Sequence, residues 1–590
     1  MRRPGNPSPG LDPAAGKGSD LRPRPSFQSS APAGLSDLQL RENLRKAARG
    51  IRAKRQAVVQ ELPDWEELTR AGRRIKEEAL GNLEMHLERL EDAVSRAGGT
   101  VHWARDGAEA NRIIGDLVEG AGATEVVKVK SITTDEIGLN EALESRGISA
   151  VETDLAELII QLASESSSHF LVPAIHKNRT QIRDLFRSHL GLPELTEDPA
   201  DLTEAARRHL RRKFLSARVA ISGANFACAD TGTVGVVESE GNGRMCLTLP
   251  GVLITVMGIE KVLPAFRDLE VFLQLLPRSA TGERMNPYTS LWTGVHPGDG
   301  PQEFHLVLLD NGRTRVLADP VGRQALHCIR CSACLNICPV YERVGGHAYN
   351  ATYPGPIGSI LTPQLLGPGV HDSLPFASTL CGACQEVCPV EIQIPRVLLH
   401  LRHRTVESGS SVGRIQEALA MGFLGLVFRS PTAYRLAVSL ARLFPGRGLG
   451  AGWWSRLPAF ARGWTAGRDF PAPARESFRD WWMRREQEAR SEGMAEGGGE
   501  GIRPGRLFSG GFVKLWKAVP GPAAVVGMGL AAVVVAGLAT VLVTVLVMGL
   551  GRFPGRTGME GTGLCRRLSS CSRPAWRITG RRFSMSDPEP

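Results

Sequence analysis

The chain has 590 residues, of which 42% are hydrophobic and 22% charged, and this apolar content excludes a wholly disordered or collagen-like protein. Its formal net charge of +10 at pH 7 would by itself suggest nucleic acid as a partner. The charge is uneven, however, because residues 1–55 carry a net +8 and residues 552–590 a net +5, which leaves −3 for the body between them. We therefore expect no nucleic-acid partner.

The N-terminal half divides into an arm, a helical region and an α/β domain. Residues 1–36 are rich in Pro, Gly and Ser without apolar periodicity, which predicts a disordered arm. Residues 37–98 are predicted to be helical because leucines recur at spacings of three and four. Residues 99–315 alternate β-like runs with helical segments, which predicts an α/β domain with a largely parallel sheet. The predicted strands are Glu125–Val129, Ala217–Ile221, Thr233–Val237, Val252–Met257 and His305–Leu309.

The C-terminal half begins with a cysteine-rich region. Residues 316–400 hold cysteine motifs between Gly- and Pro-containing loops, and residues 401–490 are predicted to be mostly helical. A flexible linker is predicted over 491–517. Residues 518–551 contain no charged side chain and exceed the ~20 apolar residues that cross a bilayer. They predict a transmembrane helix, with a buried core helix as the alternative, and residues 552–590 form a basic tail.

The location of the protein is predicted from its two ends. The N-terminus lacks the apolar stretch of a signal peptide, which predicts a cytoplasmic body. The segment 518–551 would anchor this body to the inner face of the cytoplasmic membrane. Positive charge in the neighbouring tail suits contact with anionic lipid there.

Seven of the eleven cysteines lie within residues 328–388. The first motif, CIRCSACLNICP, begins at Cys328 and is the C-x2-C-x2-C-x3-C-P run of bacterial ferredoxins. The second, CGACQEVCP, begins at Cys381 and has Ser378 where a further cysteine would stand. Zinc is the alternative at such spacings, but zinc sites use separated C-x2-C pairs. The two motifs therefore predict two iron–sulfur clusters.

The fourth cysteine of each ferredoxin run binds the cluster of the other run. The ligands predicted for the first cluster, a [4Fe–4S] centre, are Cys328, Cys331, Cys334 and Cys388. Those predicted for the second are Cys338, Cys381 and Cys384. With one thiolate fewer, the second is either a [3Fe–4S] centre or a [4Fe–4S] centre. In the latter, the fourth iron would take a water, Ser378, a substrate oxygen or a group from another chain.

Several polar residues of the α/β domain are candidates for a binding pocket, although each such residue alone is more often a surface or core residue. They are Lys128, Lys130, Ser131, Glu136, Glu152, Asp154, Gln161, His169 and His176. Glycines between 229 and 243 lack the full G-x-G-x-x-G fingerprint and indicate a dinucleotide site only weakly. Cys228 and Cys246 are expected to be core residues. His327 is either a loop residue or a hydrogen-bond donor to the first cluster.

Two sets of segments carry a resemblance to a known family. Three segments resemble the LUD domain of lactate-utilisation proteins, namely KVKSITTDEIGLNEAL, ETDLAELIIQLASESSSHFLVPAIHKN and ADTGTVGVVESEGNGRMCLTLPGVLITVMGIEKVLP. With CIRCSACLNICPVY and CGACQEVCPVEI after them, the chain is similar to the lactate-utilisation protein B family over residues 38–485. The resemblance implies an α/β LUD domain, similar to phosphosugar isomerases and CoA transferases, and an α-helical ferredoxin-like domain with two clusters.

The resemblance also implies a function. The chain would be the iron–sulfur electron-transfer subunit of a system that oxidises L-lactate to pyruvate. Its partners would be a cysteine-rich CCG-domain subunit and a small LUD-domain subunit, and its electrons would pass to a quinone or a membrane chain. The sequence shows no flavin or nicotinamide motif, so hydride chemistry is expected elsewhere or at the LUD pocket.

Two other functions stay open. In the first, the chain is itself catalytic, with Lys128 or Lys130 binding the carboxylate of a 2-hydroxy acid and His169 or His176 acting as the base. In the second, the chain is a regulatory protein whose iron–sulfur clusters sense redox state.

Overall fold

The structure of the chain is a computed structural model. The described residues are 25–408, 411–442, 453–457, 465, 469–471, 474 and 476–495. The chain divides into two compact units, Met1–Leu419 with Phe444–Arg490, and Ala420–Leu443 with Ser491–Pro590. No helix among the described residues is long and apolar enough to cross a membrane. The segment 518–551 and the tail 552–590 lie outside those residues, so the transmembrane helix and the membrane location stay predictions.

Four helices form the N-terminal region. They are Phe27–Ser36 (α1), Leu38–Gln60 (α2), Trp65–Gly81 (α3) and Leu83–Arg96 (α4). The periodic leucines are buried, namely Leu80, Leu83, Leu87 and Leu90. Helix α1 differs from the disorder expected for its part of the arm 1–36, whereas residues 1–24 lie outside the described residues. The Ser26 side chain caps helix α1, and the ring of Phe27 packs 5.0 Å from that of Tyr349, so tertiary contact orders a segment whose composition predicts disorder.

The α/β domain is built on a parallel sheet, as predicted. Its strands are Thr100–Ala104 (β1), Glu125–Lys128 (β2), Ser149–Glu152 (β3), Val219–Gly223 (β4), Phe226–Cys228 (β5), Val234–Glu238 (β6), Val252–Gly258 (β7), Val262–Leu263 (β8), Tyr288–Trp292 (β9) and Glu303–Leu309 (β10). The main sheet has the order β1-β10-β7-β4-β2-β3 and is parallel throughout. A smaller mixed sheet, β8-β5-β6-β9, was not predicted.

Each face of the main sheet has its own core, because side chains alternate along the strands. Val127 and Ala220 belong to one cluster, while Val126 and Ile221 belong to the other. The helices of this domain are Gly107–Gly120 (α5), Ile132–Glu136 (α6), Leu139–Ser145 (α7), Leu155–Ala163 (α8), Arg179–Leu190 (α9), Pro199–Ser216 (α10), Asn242–Thr248 (α11), Leu269–Ala280 (α12) and Arg313–Ala318 (α13). Short 3-10 turns lie at Ile259–Lys261 and Phe266–Asp268.

The cysteine-rich domain packs on the carboxyl edge of the main sheet. Its helices are Ala333–Ile337 (α14), Tyr341–Val344 (α15), Gly355–Leu366 (α16), Ala383–Glu386 (α17) and Ile394–Ser408 (α18). Its 3-10 turns are Gly322–His327, His347–Tyr349 and Leu374–Phe376. Glu260 follows β7, and Arg330 of the cysteine-rich domain donates to it at 3.2 Å. Tyr353 likewise donates its hydroxyl to Glu136, which follows β2. Polar contacts thus join the two domains at the strand ends.

The remaining described elements are mainly helical. They are Ser411–Arg429 (α19), Pro431–Arg442 (α20), Trp453–Trp454 (β11), Phe470–Pro471 (β12) and Phe478–Ala495 (α21). Strands β11 and β12 pair antiparallel. Helix α21 includes 491–495, where the sequence predicted the start of a linker. In the second unit, Val427 and Ala437 are buried against Leu424.

Candidate functional site

The motif cysteines lie on and around two short helices, α14 and α17. Cys334 and Cys384 lie within these helices, and the other motif cysteines lie on the loops before and after them. Arg330 and Ser332, on either side of Cys331, have φ angles of +61° and +63°. Residues with a Cβ seldom adopt this conformation, so the surrounding contacts must hold the loop in it. The resulting tight turn brings three cysteines of the first motif to the wall of one small cavity.

Four thiols line that cavity, which we call the first thiol group: Cys328, Cys331, Cys334 and Cys388. Burial raises the pKa of Cys331 and of Cys388 to about 12, and the nearby Cys328 contributes to both shifts. Thiols with such pKa values ionise at neutral pH only where a cation replaces the proton. The group therefore fits a positively charged iron–sulfur core bound by four thiolates.

Cys338, Cys381 and Cys384 form a second thiol group. Burial raises the pKa of Cys384 to about 12, with contributions from Cys338 and Cys381. Cys381 is exposed, so this group reaches the protein surface. The hydroxyl of Ser378 accepts a hydrogen bond from the Leu380 N–H at 3.1 Å and thus serves the loop that precedes the motif.

Backbone N–H groups point at sulfur atoms in both groups. The donor and acceptor pairs are Arg330 with Cys328 (3.4 Å), Ile392 with Cys388 (3.3 Å) and Tyr341 with Cys338 (3.5 Å). Donors of this kind stabilise negative charge on sulfur and are one way in which a protein sets a cluster potential. The nine described cysteines are free of disulfides, and no three His, Cys, Asp or Glu side chains of the described ranges are arranged for a single metal ion.

Positive charge lies near the first thiol group. Lys76, Lys261 and Arg330 interact electrostatically with Cys328, and Arg55 interacts with Cys331 and Cys388. The buried carboxylate of Glu260 accepts from Arg330 at 3.2 Å. Nearby cations favour the ionised form of a thiol, so the charges around this group fit a cluster bound by thiolates.

Three further residues singled out in the sequence, His327 beside the first motif and two cysteines outside the motifs, are buried. His327 is buried, and burial, with Lys76 and Arg73 nearby, lowers its pKa to about 4, so it is neutral at pH 7. Cys228 and Cys246 are fully buried in the α/β domain, and burial raises the pKa of each to about 12. Both are core residues, as their apolar surroundings predicted.

A large cavity of about 1,380 Å³ lies at the carboxyl ends of β2 and β3, and we call it the LUD cavity. Of the nine predicted pocket residues, those that line it are Glu152, Gln161, His169 and His176. Those that do not are Lys128, Lys130, Ser131, Glu136 and Asp154. The sequence reasoning missed Asp135, Glu157 and Glu165 in its wall. Their acidic side chains follow strand ends or lie on the next helix, a position that could have suggested them.

The predicted pocket residues that do not line the LUD cavity make contacts that stabilise the fold. Ser131 and Asp154 cap helices α6 and α8 through their side chains. Lys130 donates to the Leu171 carbonyl oxygen at 3.3 Å. Glu136 forms two 2.9 Å contacts with Arg313.

Lys128 is not available to bind a substrate carboxylate. It is 1% exposed, and its Nζ lies 2.8 Å from Glu152 and 3.2 Å from Asp135. It also donates to the Thr134 hydroxyl at 2.9 Å. Burial alone would lower the pKa of Lys128, but the two carboxylates outweigh burial and raise it. The predicted carboxylate ligand is therefore a structural ion-pair partner.

His169 cannot serve as the predicted base. Its Nδ1 accepts the N–H groups of Leu171 (3.0 Å) and Val172 (3.2 Å), so Nε2 carries the proton and donates it to Asn336 Oδ1 at 3.1 Å. Both ring nitrogens are therefore occupied. His176 differs. Its Nε2 lies 2.7 Å from Glu165, but its Nδ1 has no hydrogen-bond partner among the described residues.

The burial of His169 is expected to make the stability of the protein depend on pH. Burial lowers its pKa from 6.5 to about 4, so the unfolded chain binds a proton before the folded chain does as the pH falls. We expect the free energy of unfolding to drop by about 2 kcal/mol from this group between pH 7 and pH 5. Urea unfolding of His169→Gln should lack that component, whereas His296→Gln, at an exposed histidine, should keep it. Equal pH slopes in both variants would refute the prediction.

Comparison with known proteins matches three family profiles to successive parts of the chain. The LUD domain covers residues 87–309, the 4Fe-4S dicluster domain 324–392, and the C-terminal domain of lactate utilisation protein B 400–487. The dicluster match includes all seven motif cysteines.

Similar curated proteins extend over most of the chain. The "Lactate utilization protein B" of Oceanobacillus iheyensis is 41% identical over 471 residues, which are 79% of this chain and 98% of that protein. The proteins of the same name from Bacillus licheniformis and Bacillus subtilis are 43% and 41% identical, over 78% and 79% of this chain and 97% and 98% of theirs.

Proposed function

The chain belongs to the lactate utilization protein B family and so has a role in lactate utilisation, and from this premise we propose that it is the iron–sulfur electron-transfer subunit of a complex that oxidises L-lactate to pyruvate. Oxidation of the alcohol releases two electrons and two protons. Two iron–sulfur clusters can each take up and release one electron.

The grouping of the thiols supports this proposal best. Cys388 belongs to the second motif, yet it lines the same cavity as Cys328, Cys331 and Cys334. In our proposal, these four residues hold a [4Fe–4S] centre. Cys338, Cys381 and Cys384 hold the second cluster, as either a [3Fe–4S] or a [4Fe–4S] centre.

The protein around the first thiol group has two tasks in this proposal. Lys76, Lys261 and Arg330 supply buried positive charge that opposes the thiolates and favours acceptance of an electron. The N–H groups of Arg330 and Ile392 support negative charge on Cys328 and Cys388. The second group reaches the surface at Cys381, which suits exchange of electrons with another protein.

Substrate oxidation is assigned to the partners in this proposal. They are the cysteine-rich CCG-domain subunit and the small LUD-domain subunit that the family resemblance implies. The catalytic alternative used Lys128 or Lys130 to bind the carboxylate and His169 or His176 as the base. Lys128 and His169 are committed to the fold, and Lys130 donates to the Leu171 carbonyl oxygen. Of the four, His176 alone keeps a ring nitrogen without a hydrogen-bond partner among the described residues. The contacts of the two lysines and of His169 therefore favour electron transfer over catalysis by this chain.

Metal analysis tests whether the chain carries the two clusters. Anaerobic reconstitution of the full chain is expected to yield about seven or eight irons per chain, as two such clusters require. The Cys565→Ala/Cys571→Ala double variant, which changes only cysteines outside the motifs, should bind the same amount. An iron content of two or fewer, or zinc alone, would refute the cluster assignment.

A further inference from the structure

The C-terminal half of α19 and the helix α20, residues 420–442, form a helix pair that exposes much apolar surface. Among its described side chains, Val427 and Ala437 are buried, and Leu424 packs against them. Seven large apolar side chains stay exposed, namely Met421, Phe423, Leu426, Phe428, Tyr434, Leu436 and Leu440. Apolar surface that is concentrated in this way marks a site of contact with a membrane or another molecule.

The connection between the two helices holds this surface together. Ser430 alone separates α19 from α20. Its hydroxyl accepts the Ala433 N–H at 3.2 Å, and its carbonyl oxygen accepts the Tyr434 N–H at 2.9 Å. The rings of Phe428 and Tyr434 lie 6.1 Å apart, on the two sides of this turn. The capped turn therefore presents both helices as one surface.

We propose that the helix pair is a membrane-binding site that lies in the interface of an anionic phospholipid bilayer, with its apolar side chains among the acyl chains. The site differs from the predicted transmembrane segment 518–551, because it lies on the bilayer and does not cross it. It goes beyond the proposed electron-transfer role and does not depend on it, since no cluster ligand and no substrate take part in membrane binding.

The charge of the surrounding sequence selects an anionic surface. Residues 418–468 contain seven arginines and no lysine, aspartate or glutamate, which gives this stretch a net charge of +7. In the helix pair, Arg429 and Arg435 are exposed. Cationic side chains beside an apolar surface are attracted to the negative potential of anionic lipid headgroups. The helix pair thus combines both forces that hold a protein at such a membrane.

The arrangement of the apolar side chains favours lipid over a protein surface. Met421 and Phe423 are two positions apart on α19, so they point in directions about 200° apart around the helix axis. A helix that is apolar all round needs cover on every side, which a lipid layer supplies and a single protein surface does not. A second copy of the chain is also disfavoured, because its arginines would face those of the first copy.

The lengths of the apolar segments indicate binding in the plane of the interface. The uncharged run 418–428 has eleven residues, which make about 17 Å of helix. This run is too short to cross a hydrocarbon core about 30 Å thick. Helix α20 is amphipathic, because Arg435 and Ser439 share one face while Leu436 and Leu440 share the next. Amphipathic helices with basic polar faces lie flat at the boundary between headgroups and acyl chains.

Hydrogen–deuterium exchange of the full chain, measured by mass spectrometry, tests the site peptide by peptide. Vesicles of phosphatidylglycerol and phosphatidylcholine in equal parts should slow exchange in peptides from 418–443. Vesicles of phosphatidylcholine alone should slow it much less. Because each peptide is measured separately, insertion of the segment 518–551 can be told apart from binding by the helix pair. Unchanged exchange in 418–443, or equal slowing by both kinds of vesicle, would overturn the proposal.

Two variants connect the effect to the chemistry of the helix pair. Leu426→Glu should reduce the slowing by anionic vesicles about tenfold, because it removes an apolar side chain from the acyl region and adds a negative charge. Arg435→Gln should reduce it about fivefold, through loss of one headgroup contact. Leu215→Glu on α10 is the matched control, because Leu215 and Leu426 are each 66% exposed. Equal slowing in Leu426→Glu and Leu215→Glu would refute the site.

The same measurement detects the other occupants of this surface. Slowing that appears without vesicles and grows with protein concentration would assign the surface to a second copy of the chain. Slowing that requires the CCG-domain or small LUD-domain subunit would assign it to a protein partner. Either result in place of the vesicle effect would overturn the proposal. The assay uses no lactate and no electron transfer, so a failure of the proposed function would be seen separately, as clusters that lactate and the partners do not reduce.

Discussion

Replacing Cys388 with alanine is expected to abolish the cluster of the first motif, although Cys388 belongs to the second. Its thiol lines the cavity of Cys328, Cys331 and Cys334 and contributes to the pKa shift of Cys331. Removing it leaves three thiolates where a [4Fe–4S] centre needs four. The buried cations nearby would also lose one negative partner. We expect the iron content of the reconstituted chain to fall by about half.

Electron paramagnetic resonance separates the two clusters in this experiment. The signal of the second cluster should persist in Cys388→Ala, and the signal of the first should disappear. Cys384→Ala is the matched control, because it lies four residues earlier in the same motif and should remove the second cluster. If Cys388→Ala instead removes the signal that Cys384→Ala removes, the ligation is not crossed.

Arg313→Met is expected to cause the largest loss of stability among single substitutions in the α/β domain. Arg313 is 1% exposed and binds two buried carboxylates, Glu136 through a pair of 2.9 Å contacts and Glu260 through its Nε. Methionine fills similar space but leaves both carboxylates with less positive charge. Breaking a buried ion pair from one side typically costs about 3–5 kcal/mol.

Urea unfolding of the full chain measures this effect. Arg211→Met, an exposed arginine on α10, makes the same chemical change and should alter the free energy of unfolding by less than about 0.5 kcal/mol. Because Glu260 also binds Arg330 at 3.2 Å, we expect Arg313→Met to bind less iron as well. Equal stability of the two variants would mean that the Arg313 network does not hold the domain together.

The elements that the sequence predicted well are those fixed by local pattern. The strand predicted at Val252–Met257 is observed at Val252–Gly258, and that at His305–Leu309 at Glu303–Leu309. Continuous apolar runs of this kind are typical of parallel strands buried on both faces. Cysteine spacing is equally local, which is why the amino-acid sequence alone reveals both motifs.

Features that depend on distant residues were beyond sequence reasoning. Glu136 was proposed for a pocket, but its partner Arg313 lies 177 positions away. Strands β5 and β8, of three and two residues, are too short to show a period. Helix α1 forms in a Pro- and Ser-rich segment because Phe27 meets Tyr349 far along the chain. In each case tertiary contact, and not local propensity, decides the outcome.

The LUD cavity shows the same limit for function. Lys128 and His169 are residue types that often act in catalysis, and their contacts show instead that they stabilise the fold. Glu157 did not stand out, because a glutamate on an amphipathic helix is usually solvated. Its burial comes from the packing of α8 beside β3, which a pattern along one helix does not reveal.

The most direct test of the electron-transfer role is electron paramagnetic resonance of the reconstituted full chain with L-lactate. The chain is measured alone, with lactate, and with lactate plus the CCG-domain and small LUD-domain subunits. We predict that signals of reduced clusters appear only in the third sample. Reduction by lactate in the chain alone would contradict this role and favour a catalytic subunit. No reduction even with both partners present would show that the clusters do not carry the electrons of lactate oxidation.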